Sequence, residues 1–138
     1  MGRLLGIDYG TKRIGIAVTD PLQIIASPLD TIDNSKAISF LKTYIQKEEV
    51  EKFIIGIPKN LDNSISETQK KVANFIQKLE KQFPNTPVIR VDERFTSKSA
   101  QHIIMQSGLG RKKRQNKGLV DKISASIILE SYMNGLKS

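Results

Sequence analysis

The fold of this chain is decided near its amino end by the stretch Gly6-Ile7-Asp8-Tyr9-Gly10-Thr11-Lys12-Arg13-Ile14-Gly15-Ile16-Ala17-Val18-Thr19-Asp20. Two short runs of apolar and β-branched residues, 3–8 and 13–19, are separated by a turn at 9–12 that contains glycine. A weaker run at 24–32 follows the break at Asp20-Pro21. Runs of this length, joined by turn residues, predict a three-stranded antiparallel meander.

The residues after 33 change to alternating helical and strand patterns. Ile38, Leu41, Tyr44 and Ile45 recur with helical spacing, whereas 52–57 is a continuous apolar run typical of a strand buried on both faces. The predicted elements are a helix capped by Asn34-Ser35, a strand at 52–57, a helix from Ser64 or Ser66 with Val72, Ala73, Ile76 and Leu79 on its apolar face, a strand at 87–91, a helix at 97–106, and a helix at 119–133 whose core residues are Val120, Ile123, Ile127, Ile128 and Tyr132. The pattern predicts an α/β protein.

The composition excludes several kinds of functional site and favours one kind of partner. The chain has 138 residues, which suits one domain covering 1–138, and its 22 Lys and Arg residues against 14 Asp and Glu residues give a net charge of +8. Such a surplus favours an anionic partner, most often nucleic acid. The absence of cysteine excludes disulfides and thiolate metal sites, and the lone His102 excludes a multi-histidine zinc site. No apolar run approaches the ~20 residues that span a bilayer, so we expect a soluble, cytoplasmic protein without membrane contact.

The excess positive charge is concentrated in one segment. Between Lys98 and Lys122 there are seven positive residues and one negative residue. Within it, 108–118 contains three glycines and a single apolar residue, which predicts a mobile loop. This loop is interpreted as a phosphate clamp, with a solvated loop that only aids solubility as the alternative. Its basic residues are Arg111, Lys112, Lys113, Arg114 and Lys117.

Isolated acidic residues stand at the ends of the predicted elements. Asp8 ends the first strand, the pair Asp92-Glu93 follows the last strand, and Asp121 lies near the start of the final helix. Each has a structural alternative: a turn cap, a solvated strand exit, and a favourable interaction with the helix dipole. Together, in a basic protein, they predict a site for Mg²⁺, which binds through few carboxylates together with substrate phosphates.

Four motifs in register resemble the YqgF (RuvX) family over nearly the whole chain. They are the opening stretch 6–20, Gly56-Ile57-Pro58 with Asn60, Asp62 and Ser64, then Asp92-Glu93-Arg94-Phe95-Thr96-Ser97, and Val120-Asp121-Lys122-Ile123-Ser124-Ala125. The resemblance implies a ribonuclease H-like fold with a mixed five-stranded sheet flanked by helices, similar to that of the RuvC Holliday junction resolvases. Members of the family are described as Holliday junction resolvases and as nucleases that mature pre-16S rRNA.

The resemblance also implies roles for individual residues. Asp8, Glu93 and Asp121 would be the catalytic and metal-binding carboxylates for Mg²⁺ or Mn²⁺. The strand that ends Gly56-Ile57-Pro58 lacks the middle acid of RuvC-type enzymes, so Glu93 or Asp92 must replace it, and Glu93 is favoured. The phosphate-binding residues would be Lys12, Arg13, Arg94, Arg111, Lys112, Lys113, Arg114 and Lys117.

The expected activity is hydrolysis of phosphodiester bonds in structured nucleic acid, with pre-16S rRNA ahead of DNA junctions as the substrate. An ATP-using protein of the actin and sugar-kinase superfamily, which the turn Asp8-Tyr9-Gly10-Thr11 also resembles, would need a second domain. A nucleic-acid-binding accessory factor in ribosome assembly or transcription, without cleavage, is the alternative hypothesis. The sequence leaves open whether the protein is a monomer or a homodimer.

Overall fold

The computed structural model of the chain describes residues 2–57, 67–92 and 117–137. The strands are β1 (Arg3–Asp8), β2 (Arg13–Thr19), β3 (Ala26–Asp33), β4 (Val50–Ile57) and β5 (Val88–Asp92). A short 3₁₀ turn (Asn34–Lys36) leads into α1 (Ala37–Lys47), α2 (Glu67–Gln82) connects β4 to β5 along the chain, and α3 (Lys117–Lys137) is the final helix.

The strands form one mixed sheet in the order β3-β2-β1-β4-β5. The meander β1–β2–β3 is antiparallel, whereas β4 and β5 run parallel to β1. The carboxyl ends of β1, β4 and β5 therefore lie at the same edge of the sheet. This architecture confirms the predicted meander and the predicted mixed five-stranded sheet.

The sheet is covered by helices on both faces. On one face, which we call the α1–α2 face, Leu41 of α1 and Ile76 of α2 pack with alternate strand residues such as Ile7 and Ile55. On the opposite face, which we call the α3 face, residues of α3 pack on a second set of alternate strand residues. The buried residues of this second cluster are Leu4, Ala17, Ile54, Ala125, Ile128, Leu129 and Met133.

Two glycines let α3 lie close to the sheet. A Cβ atom at Gly6 would come within 2.6 Å of Leu129 Cγ and within 2.8 Å of the Ala125 carbonyl oxygen. A Cβ atom at Gly15 would lie 2.1 Å from the carbonyl oxygen of Asp121. Real side chains do not tolerate such distances, so both positions require glycine at this helix-to-sheet spacing.

Some local predictions differ from the structure. Asn34 and Ser35 do not cap α1; the side-chain nitrogen of Asn34 instead donates a hydrogen bond to the Gly10 carbonyl oxygen at 2.8 Å. Ala73 is exposed, although helical spacing predicts it on the apolar face of α2, and Phe75 is buried instead.

The final helix is buried on more of its faces than a single apolar stripe predicts. All residues from Ser124 to Leu129 are buried, although the apolar spacing predicts burial only for Ile127 and Ile128 among them, and Ile123 and Tyr132 are half-buried. The predicted helix at 97–106 lies outside the described residues. No helix among the described residues is both long and apolar enough to cross a bilayer.

Candidate active site at the carboxyl end of β1

Asp8 is the last residue of β1 and lies in the middle of the sheet. It pairs with Gly15 of β2 on one side and with Gly56 of β4 on the other. Because side chains alternate along a strand, Asp8 shares the α3 face with Leu4 and Gly6. Its two glycine neighbours carry no side chain that could cover it from the adjacent strands, and Asp8 is half-buried.

Gly15 allows the backbone of Asp121 to approach the face of the sheet on which Asp8 lies. The backbone carbonyl of Asp121 lies directly over Gly15, and Gly15 is the cross-strand partner of Asp8. Directly paired residues of antiparallel strands have Cα atoms about 5 Å apart. The start of α3 is therefore held one strand away from Asp8, on the same face of the sheet. The backbones of two predicted metal ligands, 113 positions apart in the sequence, therefore lie near each other on this face.

Arg13 supplies a positive charge at this point. Its Nε donates a hydrogen bond to Oδ2 of Asp121 at 3.3 Å, and the two side chains are 41% and 26% exposed. Partial exposure leaves both groups within reach of a ligand from solvent. The ion pair also shows that the position beside the Asp121 carboxylate suits a cation.

The turn between β1 and β2 holds Lys12 and Arg13 at the mouth of the site. A Cβ atom at Gly10 would lie 2.2 Å from the Arg13 carbonyl oxygen, so this tight approach requires glycine. The turn is tied to the end of β3, because the backbone nitrogen of Asn34 donates to the Lys12 carbonyl oxygen at 2.9 Å. The Lys12 side chain is exposed and can contact a polyanion.

The end of β5 lies at the same edge of the sheet. Gly56 of β4 pairs with Asp8 of β1 and with Val91 of β5. Asp92 therefore lies one residue farther along its strand than the position that corresponds to Asp8. Two strand spacings separate β1 from β5, which is about 10 Å. Within residues 2–57, 67–92 and 117–137, no three acidic or histidine side chains are grouped closely enough to hold a metal ion.

Several predicted site residues lie outside the described part of the chain. Lys117 is the first residue of α3, but its side chain is not described. The residues for which the structure carries no description are Glu93, Arg94, Arg111, Lys112, Lys113 and Arg114.

Sequence reasoning misses one residue of the site and one contact. The apolar pattern assigns Gly15 only to a strand, although a glycine in the middle of a β-branched run is a known signal of close backbone approach. The contact between Arg13 and Asp121 joins residues 108 positions apart, and no local pattern predicts it.

Over nearly its whole length, the chain is similar to a family of resolvases and to relatives that are named as nucleases. The family described as "RuvX: Holliday junction resolvase" matches residues 2–135. This chain belongs to the RuvX family. A RuvX relative from Flavobacterium johnsoniae, named "Putative pre-16S rRNA nuclease", is 52% identical over 134 residues, with 97% of each chain covered. A protein of the same name from Bacteroides fragilis is 49% identical over 133 residues, with 96% of each chain covered.

The fold agrees with that of a solved resolvase. Thermus thermophilus RuvC, determined in complex with a Holliday junction substrate, matches with a TM-score of 0.60 and covers 97% of each chain. The sequences are only 12% identical, so this likeness concerns the fold. It confirms the ribonuclease H-like architecture that the RuvX motifs implied.

Proposed function

We propose that this RuvX protein is a nuclease that hydrolyses phosphodiester bonds in structured RNA with the help of Mg²⁺ or Mn²⁺. One observation carries the proposal. The backbones of Asp8 and Asp121, the two acids that the family motifs single out, lie on one face at the carboxyl end of β1 with only Gly15 between them. In a basic protein, two acidic residues held this near to each other beside an arginine support a metal site that faces a polyanion.

Asp8, Asp121 and Glu93 would hold the metal. The chemistry of this donor set fits, because carboxylate oxygens are the ligands that Mg²⁺ and Mn²⁺ prefer, and a guanidinium cation already lies against Asp121. Divalent cations in such sites activate the attacking water and stabilise the leaving oxygen. Glu93 is proposed ahead of Asp92 because Ile89 and Val91 both belong to the α3 face, and strand alternation would assign an odd-numbered residue to that face.

The protein's own basic side chains would position the substrate. Lys12 is exposed at the mouth of the site, and Arg13 can exchange its contact with Asp121 for a substrate phosphate. We assign Arg94 and the basic residues between 111 and 117 to further phosphates. Such contacts set the register of the nucleic acid but carry no sequence information.

The 5′ region of pre-16S rRNA is the proposed substrate, and DNA four-way junctions are the related alternative. The names of the RuvX relatives from Flavobacterium johnsoniae and Bacteroides fragilis support the RNA, and the family description supports the junction. This substrate would place the protein, as a single domain of 138 residues, in the cytoplasm.

A binding factor that does not cleave is the second candidate. It is favoured by the contact between Arg13 and Asp121, since an arginine that stays on the carboxylate blocks a metal ligand. The two candidates differ in what Asp8 does: it is essential for a nuclease and dispensable for a binder.

Cleavage assays with matched variants test the proposal. Wild-type protein should cut an RNA carrying the precursor 5′ end of 16S rRNA in Mn²⁺ or Mg²⁺, and not in EDTA. Asp8→Asn and Asp121→Asn should each lower the cleavage rate at least a hundredfold and leave RNA affinity, measured by fluorescence anisotropy, within a few-fold, because metal ligands act on the chemical step.

Two further variants test whether Glu93 or Asp92 supplies the third carboxylate of the proposed metal site. Glu93→Gln should abolish cleavage, and Asp92→Asn should retain it. Wild-type protein that binds the RNA tightly but cuts neither RNA nor a DNA junction in any divalent cation would establish the binding factor instead.

A further inference from the structure

A group of large apolar side chains is exposed at the end of the sheet opposite the candidate site. Leu22, Ile24 and Ile25, in the loop between β2 and β3, are 63%, 61% and 66% exposed. Exposed large aliphatic side chains that lie close together in the chain, unlike ones scattered singly over the surface, are a feature of interaction sites on soluble proteins.

The loop that carries them is held in one shape by Asp20. The carboxylate of Asp20 accepts hydrogen bonds from the backbone nitrogens of Leu22, Ile24 and Ile25 at 3.1, 2.8 and 2.7 Å. The Asp20 carbonyl oxygen accepts a further bond from the backbone nitrogen of Gln23 at 2.9 Å. These bonds preorganise the loop, so a partner would lose little affinity to ordering it.

Gln23 fastens the loop to the rest of the molecule. Its backbone is in the left-handed region, with φ of 58°, and its side-chain nitrogen donates to the Gly2 carbonyl oxygen at 2.8 Å and to the Glu51 carboxylate. The polar residue of the loop thus points inward, while the apolar residues on both sides of it point into solvent. This arrangement is the reverse of the one that burial of apolar surface favours.

A groove of about 270 Å³ lies between this loop and the second half of α3. Ile24, Ile25 and Met133 supply apolar walls, and Glu130 supplies a carboxylate. A groove with apolar walls and one carboxylate fits the stem and the charged head of a partner's arginine or lysine.

The described charged residues at the loop and the groove are mainly acidic. Asp20 and Glu51 contact the loop and Glu130 lines the groove. The nearby Arg3, which donates a hydrogen bond to the Thr19 carbonyl oxygen, is paired with Glu48. A nucleic acid or an anionic membrane would be repelled there. A second copy using the same patch about a two-fold axis would place Asp20 and Glu130 near their own counterparts.

We propose that the loop 20–25 and the groove beside Glu130 form a docking site for a partner protein segment that is apolar and basic. Apolar side chains of the segment would cover Leu22, Ile24 and Ile25, and an arginine or lysine would enter the groove. The site is independent of the nuclease proposal. It lies at the amino end of β1, whereas Asp8 lies at the other end of the same strand, so both surfaces can be occupied together.

A labelled short peptide of alternating leucine and arginine is the probe. It should bind wild-type protein, and NMR shift changes should concentrate at 22–26 and 130–134. Versions with glutamate in place of arginine, or serine in place of leucine, should not bind. Ile25→Ser should weaken binding about tenfold or more, as expected for one buried isoleucine. Glu130→Gln should weaken it and reduce its salt dependence.

Leu29→Ser is the matched control, because Leu29 is an exposed leucine (38%) on β3 that does not line the groove. It should leave peptide affinity unchanged. Equal binding to wild-type and Ile25→Ser protein, or shift changes located elsewhere, would overturn the proposal. So would sedimentation showing a dimer of the wild-type protein that Ile25→Ser dissociates, since the occupant would then be a second copy.

Discussion

Among the single residues, Arg13 and Asp121 share a hydrogen bond that would link substrate binding to metal binding in the proposed nuclease. The same carboxylate oxygen that accepts the hydrogen bond from Arg13 is a proposed metal ligand. If Asp121 binds the metal ion as proposed, the ion and the guanidinium would compete for its carboxylate until a substrate phosphate draws Arg13 away. We therefore expect weak metal binding by the free protein, because of this competition and because few carboxylates are available.

Replacing Arg13 should make this competition measurable. Arg13→Gln should raise the affinity of the free protein for Mn²⁺ several-fold in isothermal titration calorimetry, since a part-exposed ion pair contributes up to about 1 kcal/mol. It should also lower the salt slope of RNA binding by about one unit, because the variant neutralises one phosphate fewer.

The control for this prediction is Arg3→Gln. Arg3 makes a similar hydrogen bond from Nε to Glu48 at 3.2 Å, but at the other end of the sheet. Mn²⁺ affinity should be unchanged in this variant. The same Mn²⁺ affinity for Arg13→Gln and Arg3→Gln would show that Arg13 does not compete with the metal.

Asp20 should make the stability of the fold depend on pH. The backbone hydrogen bond from Ile25, followed by those from Ile24 and Leu22, lowers the pKa of Asp20 below its ordinary value of 3.8. A carboxyl whose pKa is lowered on folding contributes stability above its unfolded pKa, and this contribution disappears as the pH falls through the folded value. Urea midpoints measured on both sides of pH 4 should therefore fall less in Asp20→Asn than in wild-type protein.

Asp30→Asn is the comparison for this experiment. Asp30 is on the neighbouring strand β3 and its carboxylate accepts a hydrogen bond from the backbone nitrogen of Thr31. The two variants remove the same charge, so a difference between their pH profiles reports the hydrogen bonds that the Asp20 carboxylate accepts. An identical pH profile for wild-type and Asp20→Asn protein would contradict the assigned role.

At the scale of elements, the close packing of α3 on β1 and β2 assembles the site. Gly6 and Gly15 are the positions where the helix backbone and Leu129 approach the sheet most closely. The first turns of α3 carry Asp121, so the spacing between this helix and β2 determines how far Asp121 lies from Asp8.

Gly15→Ala should separate the two carboxylates. The added Cβ atom would overlap the Asp121 carbonyl, so α3 must move away, at a cost of about 1–3 kcal/mol for overpacking. Urea denaturation should show this decrease in stability, and cleavage by the folded protein should fall far more than the folded fraction does.

Leu79→Ala is the control for Gly15→Ala, because it also lowers the stability of the fold but acts on the α1–α2 face of the sheet. Leu79 is fully buried between α2 and the sheet, and its truncation should cost about 2–5 kcal/mol. The folded part of this variant should cleave normally. Normal cleavage by folded Gly15→Ala protein would mean that the position of α3 does not control the site.

At the scale of the whole molecule, the two ends of the sheet differ in charge and in exposed chemistry. The end with Asp8 and Asp121 also carries Lys12 and Arg13, whereas the exposed loop of Leu22, Ile24 and Ile25 at the opposite end is bordered by Asp20, Glu51 and Glu130. The nucleic acid is therefore expected at one end and the protein partner at the other.

The basic segment 111–114 should contribute to nucleic-acid affinity without sequence preference. Replacing Arg111, Lys112, Lys113 and Arg114 by alanine should weaken binding to structured RNA and to DNA junctions equally. The salt slope should become smaller by roughly one unit for each phosphate that the variant no longer neutralises. Fluorescence anisotropy over a range of salt concentrations measures both effects.

Four lysines of α2 give a control with the same change in net charge. Lys70, Lys71, Lys78 and Lys81 belong to a helix that covers the α1–α2 face, whereas Asp8 and the start of α3 lie on the opposite face of the sheet. Their replacement by alanine should alter the salt slope much less. Equal salt slopes for the two quadruple variants would mean that net charge alone determines the affinity for nucleic acid and that residues 111–114 do not form a phosphate clamp.

The local patterns of the sequence predict the order of the described elements correctly, and the family motifs indicate the candidate site residues. Apolar runs of period 2 and period 3.6 predict strands and helices because neighbouring residues along the chain determine which faces can be buried. The three-dimensional packing was needed to show that the Asp121 backbone lies over Gly15, that Arg13 binds Asp121, and that Asn34 holds the Gly10 turn instead of capping α1. It also decided that the loop after β2 presents its isoleucines to solvent. These features join residues distant in the chain, or depend on what covers a segment, and local patterns contain neither kind of information.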